Sequence, residues 1–125
     1  MRRWISWLLA ALLCLALAGC APKGDTSLVR LDQGVSETLA REDVRAAMSA
    51  AMTQFQKHCG GETLLRLRYD EGYSLAWVAA RDLEPDGNTL VLLVNYLDEN
   101  GKQHTGVPWA FTRDDNGSWK AEDLK

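Results

Sequence analysis

An α+β domain, one long N-terminal helix packed on a four- to five-stranded antiparallel meander, is predicted by three observations on the 125-residue sequence. A single helical stripe comes first, and runs of period two fill the rest of the chain. The connections among those runs are short and glycine-bearing, as hairpins require. The expected organisation is a leader over 1–19, a tether over 20–35 and one domain over 36–125.

The leader reads MRRWISWLLAALLCLALAGCA. Arg2 and Arg3 make a basic start, Trp4 to Leu17 are apolar except for Ser6, and the small residues Ala18 and Gly19 lead into Cys20. The apolar run is shorter than the ~20 residues of a spanning helix, and no stop-transfer pattern follows, so it reads as an export signal that is removed. A plain secretory signal would leave Cys20 as a stray thiol, and a buried core helix would not open on two arginines. Leu17-Ala18-Gly19-Cys20 resembles the lipobox of bacterial lipoproteins. That resemblance implies that Cys20 is acylated and that its lipid holds the protein stably without a membrane span. Ala21, rather than an aspartate, follows the cysteine. In the lipoprotein family this implies sorting to the outer membrane, with the domain facing the periplasm.

Loss of the leader leaves about 106 residues, enough for one domain with a core of its own. The net charge of −3 becomes about −5 when Arg2 and Arg3 go with it, and an acidic surface argues against nucleic acid and against peripheral binding to anionic lipid. The lipid is then the whole membrane attachment, and any other partner is an envelope protein or a second copy. With Cys14 removed and Cys20 lipidated, Cys59 has no intrachain disulfide partner. Burial, pairing with another chain and reactivity are its three possible fates, and burial is the commonest for a free cysteine.

Residues 21–35, APKGDTSLVRLDQGV, show no sustained period and read as a flexible tether. From Ser36 to His58 the pattern is helical. Ser36 is the expected N-cap, Val44, Met48, Ala51, Met52 and Phe55 form one stripe, and Gly60-Gly61 supplies the stop. Leu65, Leu67 and Tyr69 then alternate with Arg66 and Arg68, predicting a half-buried strand near a sheet edge. Further strands are predicted over Ser74–Leu83, Thr89–Leu97, Gln103–Arg113 and Ser118–Leu124. TLVLLVNYL is apolar almost throughout and belongs at the centre, whereas Pro108 calls for an edge or a bulge in its strand.

Helix followed by meander resembles the cystatin-like architecture, and Asn116-Gly117-Ser118-Trp119-Lys120 resembles the closing strand of small NTF2-like proteins. The NTF2-like resemblance implies a pocket between helix and sheet for a small molecule or lipid. Such domains carry further N-terminal helices, and this chain shows one.

For chemistry the candidates are few. His58 and Cys59 are neighbours on a helix and point about 100° apart, which suits no dyad. A Cys59–His104 pair would need a third, orienting group. Asp98-Glu99-Asn100-Gly101 and Asp114-Asp115-Asn116-Gly117 suggest calcium, but neither has the EF-hand spacing and hairpin turns explain both. No catalytic residue, metal site or cofactor is assigned. The expected function is a non-catalytic binding or assembly accessory of the envelope, with an inhibitor or immunity protein against a periplasmic hydrolase as a variant. A small-molecule or lipid carrier is the second reading.

Pairing arithmetic adds one candidate surface. A two-residue turn at Asn100-Gly101 places Val94 opposite Val107 and Leu92 opposite Trp109, so one face collects Leu90, Leu92, Val94, Tyr96, Val107, Trp109 and Phe111 for the helix. An even final loop puts Trp119 on the other face with Ala110, Val91 and Leu93. One helix cannot cover both faces, so that second face is the expected interaction surface. An odd loop would turn Trp119 into the core.

Overall fold

The structure, a computed structural model, describes residues 23–83 and 87–122. The leader and Cys20 lie outside the described residues. The order is β1 (Arg30–Asp32), α1 (Arg41–His58), β2 (Thr63–Tyr69), α2 (Glu71–Ala80), β3 (Thr89–Leu97), β4 (Gln103–Arg113) and β5 (Trp119–Ala121). All five strands form one sheet in the order β1-β2-β3-β4-β5. The α+β class stands, and β2 to β5 are the antiparallel meander. The wholly antiparallel sheet and the single helix do not stand, because β1 runs parallel to β2 and α2 is a second helix.

β1 arises inside the segment expected to be a tether. Its parallel pairing follows from connectivity, since the chain leaves β1, crosses over through α1 and returns as the neighbouring strand. Upstream, Asp25 N–H donates to the Glu62 carbonyl at 2.9 Å and the Asp25 carbonyl accepts from Leu64 N–H at 2.8 Å. The ordered domain thus begins by Gly24, twelve residues before the expected start at Ser36.

α1 buries Val44, Ala47, Met48, Ala51 and Phe55 on one stripe. Glu42 and Asp43 in its first turn and Lys57 and His58 in its last suit the helix dipole. It starts at Arg41, later than expected, with no side-chain cap at Ala40. Ser36 instead closes the preceding bend, its hydroxyl accepting from Thr38 and Leu39 N–H.

The strand expected over 74–83 is replaced by α2. Asp70 accepts from Tyr73 N–H as N-cap, Ala76, Ala79 and Ala80 favour helix, and the inward residues Ser74 and Val78 are four apart. Trp77 therefore lies on a helix, half-buried beneath the Arg81 guanidinium 3.6 Å from its ring centroid. Pairing of β2 with β3 ends at Tyr69 opposite Leu92, and the next β3 donor, Val91 N–H, goes to the Ser74 hydroxyl at 3.0 Å. Val91 and Leu93, on the face away from α1, are buried where α2 meets β3.

Leu92 does face Trp109, and Val94 does face Val107. The route differs from the expected one. Asp98 N–H bonds Lys102 O and Gly101 N–H bonds Asp98 O, closing a three-residue loop that shifts the register by one. A bulge between Val94 and Tyr96 shifts it back. There Gly106 adopts φ +66° and donates its N–H to Asn95 Oδ1 at 2.8 Å. Leu90, Leu92, Val94, Trp109 and Phe111 consequently form the buried face under α1, with Tyr96 and Val107 at its margin.

The same three-residue loop recurs at Asp115–Gly117. Its odd length sets Trp119 opposite Arg113, on the α1 side, where it is only 6% exposed. The expected interaction surface of Trp119, Ala110, Val91 and Leu93 is therefore corrected: Trp119 is core, and Val91 and Leu93 are already buried. β2 is the second strand, next to the edge as expected, but a bulge at Leu65 makes Leu64, with Leu67 and Tyr69, its buried residues. Pro108 is exposed on a stretch of β4 that short β5 does not reach, so its missing donor leaves no gap in the ladder.

Candidate functional site

At one end of the sheet, the loops after α1 and β3 bring together the residues first weighed for chemistry. His104 Nε2 lies 2.9 Å from Asp98 Oδ2, and its ring stacks on Tyr96 with centroids 4.7 Å apart. Asp98 is held below the usual carboxylate range by His104 and by the N–H of Lys102 and Asn100. Those backbone bonds close the hairpin, so Asp98 is a turn carboxylate that also orients the histidine. Cys59 is 6% exposed beneath this loop. Burial, then hydrogen bonding to Glu62 and its charge, push its thiol up to about 12. The group is a neutral thiol at physiological pH, and nucleophilic chemistry needs the thiolate. Tyr96 feels the charges of Glu62 and Asp98 and neighbours both sides of the cluster, yet the described contacts of His104 are Asp98 and Tyr96, with none to Cys59. The fold thus gathers Cys59 and His104 at one end without making them a pair.

Asp114 plays the same turn role as Asp98, accepting from Asn116 and Ser118 N–H, with Lys120 Nζ 3.6 Å away. Among the described residues no three His, Cys, Asp or Glu side chains are grouped to hold a metal. The interface of α1 with the sheet, where an NTF2-like pocket would lie, is filled by Met48, Phe55, Leu92, Trp109 and Phe111. Phe55 and Trp109 stack there with centroids 6.0 Å apart.

Grooves among the described residues lie instead at the opposite end, around the linker from β1 to α1. One of about 510 Å³ is bordered by Leu31, Asp32, Gln33, Gly34, Val35, Arg41 and Arg45. A second, of about 310 Å³, runs from the same linker to Leu39 and Val44. Val35 is 84% exposed and Leu31 45% exposed, beside two arginines one helical turn apart.

This linker is held firmly. The Glu71 carboxylate at the start of α2 accepts from the Ser36 hydroxyl, Glu37 N–H, Thr38 N–H and the Thr38 hydroxyl. Those donors, Ser36 first, hold its pKa down at about 2. Gly34 adopts φ +59°, and a Cβ there would lie 2.6 Å from the Tyr69 carbonyl oxygen. Only glycine allows this backbone to pass so close. Asp32 is bonded to Arg66 Nη2 at 2.8 Å, and the Asp32 carboxylate also accepts from Gly34 N–H. Val35 is thus an apolar side chain presented to solvent from an immobilised turn. β1 itself is three residues long and has no neighbouring strand on its outer side among the described residues.

Neither Leu31 nor Val35 was singled out in the sequence, because a short run in a Gly- and Asp-bearing stretch reads as linker. The signal available was Val29-Arg30-Leu31, a brief apolar alternation. Compared with family models, curated proteins and solved structures, the chain matches none. No described helix is long and apolar enough to cross a membrane.

Proposed function

We propose that this chain is an outer-membrane-anchored periplasmic lipoprotein that serves as a non-catalytic binding or assembly accessory of the cell envelope. Leu17-Ala18-Gly19-Cys20 supports the anchor. The observation that carries the binding role is Val35, 84% exposed on a linker immobilised by Glu71 and Gly34. An exposed apolar side chain on a rigid turn is a preorganised contact, which costs little further entropy on binding. With Leu31 on a three-residue strand that is the edge of the sheet among the described residues, and Arg41 and Arg45 beside it, the groove suits an extended segment carrying apolar and acidic side chains, added to that edge. An envelope hydrolase inhibited by this protein would be one such partner.

The test is recovery from envelope extracts of the full-length lipoprotein against its Leu31→Asp/Val35→Asp variant. The proposal expects one protein that co-purifies with the wild type, crosslinks to a photoreactive residue at position 35, and is lost from the variant while circular dichroism is unchanged. Equal recovery of that protein by the two chains would refute the groove as its site.

A further inference from the structure

The described chain is packed against the domain from Gly24 onward. Gly24 is buried, donates its N–H to the Gln56 carbonyl at 3.1 Å, and lies so close to α1 that a Cβ would meet the Phe55 carbonyl oxygen at 2.3 Å. Asp25 follows in a bridge to Thr63, at the start of β2. Only residues 21–23 therefore separate Cys20 from a point fixed on the fold. Four Cα steps reach ~14 Å at full extension.

We infer that the lipid-bearing protein does not swing on a tether but is held with one end of the domain against the phospholipid headgroups. This rests on the reading of Cys20 as the lipidated residue. The membrane-facing end is the one where Gly24 meets the C-terminal turn of α1. It carries the loop after α1 and the Asp98–Lys102 hairpin, since a Cβ on Gly61 would meet Glu99 at 3.4 Å. Lys23, Lys57 and Lys102 are exposed on these three segments, although they are far apart in sequence. These lysines stand among Asp25, Glu62, Asp98 and Glu99, so charge does not select this end, and the short reach from Cys20 to Gly24 is what sets it against the headgroup layer. The acyl chains remain the whole attachment, and the packing of Gly24 and Asp25 on the fold adds an orientation to it.

The geometry also sets where the groove points. β1 runs parallel to β2 away from the Asp25–Thr63 bridge, and α1 returns from the groove to Gln56. The 18 residues of α1 span ~27 Å, so Val35 and Arg41 are carried that far from the bilayer, facing outward into the periplasm. A partner bound there must reach across from the periplasm or from a neighbouring envelope protein, not from within the same leaflet.

The two equivalent hairpin loops make a matched experiment. Glu99→Cys and Asp115→Cys each replace an exposed acid at the same loop position, at opposite ends of β4. Each full-length, acylated protein is labelled with a fluorophore and reconstituted into phosphatidylethanolamine/phosphatidylglycerol vesicles that carry a headgroup quencher. Buried Cys59 stays unlabelled in the folded chain. About threefold stronger quenching at 99 than at 115 is expected from the ~35 Å that β4 spans, and a flexible insert of about twenty residues after Ala21 should abolish the difference. Equal quenching at the two positions in a chain shown by mass to be acylated and bound to the vesicles overturns the orientation while leaving the lipid anchor intact. A chain that is never acylated overturns the anchor, and the orientation with it.

Discussion

Gly24→Ala tests whether the N-terminal segment is part of the fold or an appendage to it. The added Cβ would stand 2.3 Å from the Phe55 carbonyl oxygen and 2.7 Å from its Cδ1. The ring could turn, but the carbonyl belongs to α1 backbone and cannot. Separation to ordinary contact requires a shift of about 1 Å, which takes Gly24 N–H out of reach of Gln56 O. The adjoining pair, Asp25 N–H to Glu62 O and Leu64 N–H to Asp25 O, is strained by the same movement. With a net worth of about 0.5–1.5 kcal/mol per bond, loss of the three is roughly 1.5–4.5 kcal/mol, bounded above by what the segment contributes before it peels away. Urea unfolding of the leaderless domain with Cys20 replaced reads the total. Hydrogen exchange locates it, with protection falling at Leu64 and unchanged in the centre of β3. A stability change under about 0.5 kcal/mol with full protection at Leu64 would show that the segment is not bound as described.

Other consequences follow from single groups. Trp119→Ser should lower stability by about 3–5 kcal/mol, the range for emptying a buried large side chain, and a melting temperature within a degree of wild type would return Trp119 to the surface. Glu71→Gln should flatten the acid limb of the stability curve. A carboxyl whose folded pKa is about 2, against 4.5 as its ordinary value, stabilises the fold above the higher value and loses that contribution as pH falls through the lower. Identical wild-type and variant curves between those two pH values would remove Glu71 as the clasp of the linker. Cys59, with its thiol pushed up to about 12, should react with a thiol reagent at pH 8 far more slowly in folded than in urea-unfolded protein. Equal rates would place it at the surface.

Much of the fold was legible because it is written in local period. β3 and β4 occupy the predicted ranges, and the stripe of Val44, Met48, Ala51 and Phe55 lies in the core, since a short apolar run and a helical stripe each demand burial. α2 was missed although its N-cap, Asp70, is in plain view. The Asp-Glu-Gly that begins it also makes a good turn, and a ten-residue stretch that is apolar almost all round has no clear period. Ranking those two options needs the unpaired Val91 N–H that Ser74 satisfies, a tertiary fact.

The exported, lipidated address is proposed from residues contiguous in sequence, read by machinery that meets the chain before it folds, so sequence alone can carry it. The range and central place of β3 were likewise legible locally, from a nearly continuous apolar run. Trp119 could not be assigned that way, because one residue more or less in the final loop exchanges the two faces of a strand, and only the closed bonds of Asp114, Gly117 and Ser118 decide the count. The same is true of the groove and of the end that bears Lys23, Lys57 and Lys102. Such surfaces join residues from separate elements, and their adjacency is created by the parallel crossover of β1, α1 and β2, which long-range pairing sets and local propensity does not.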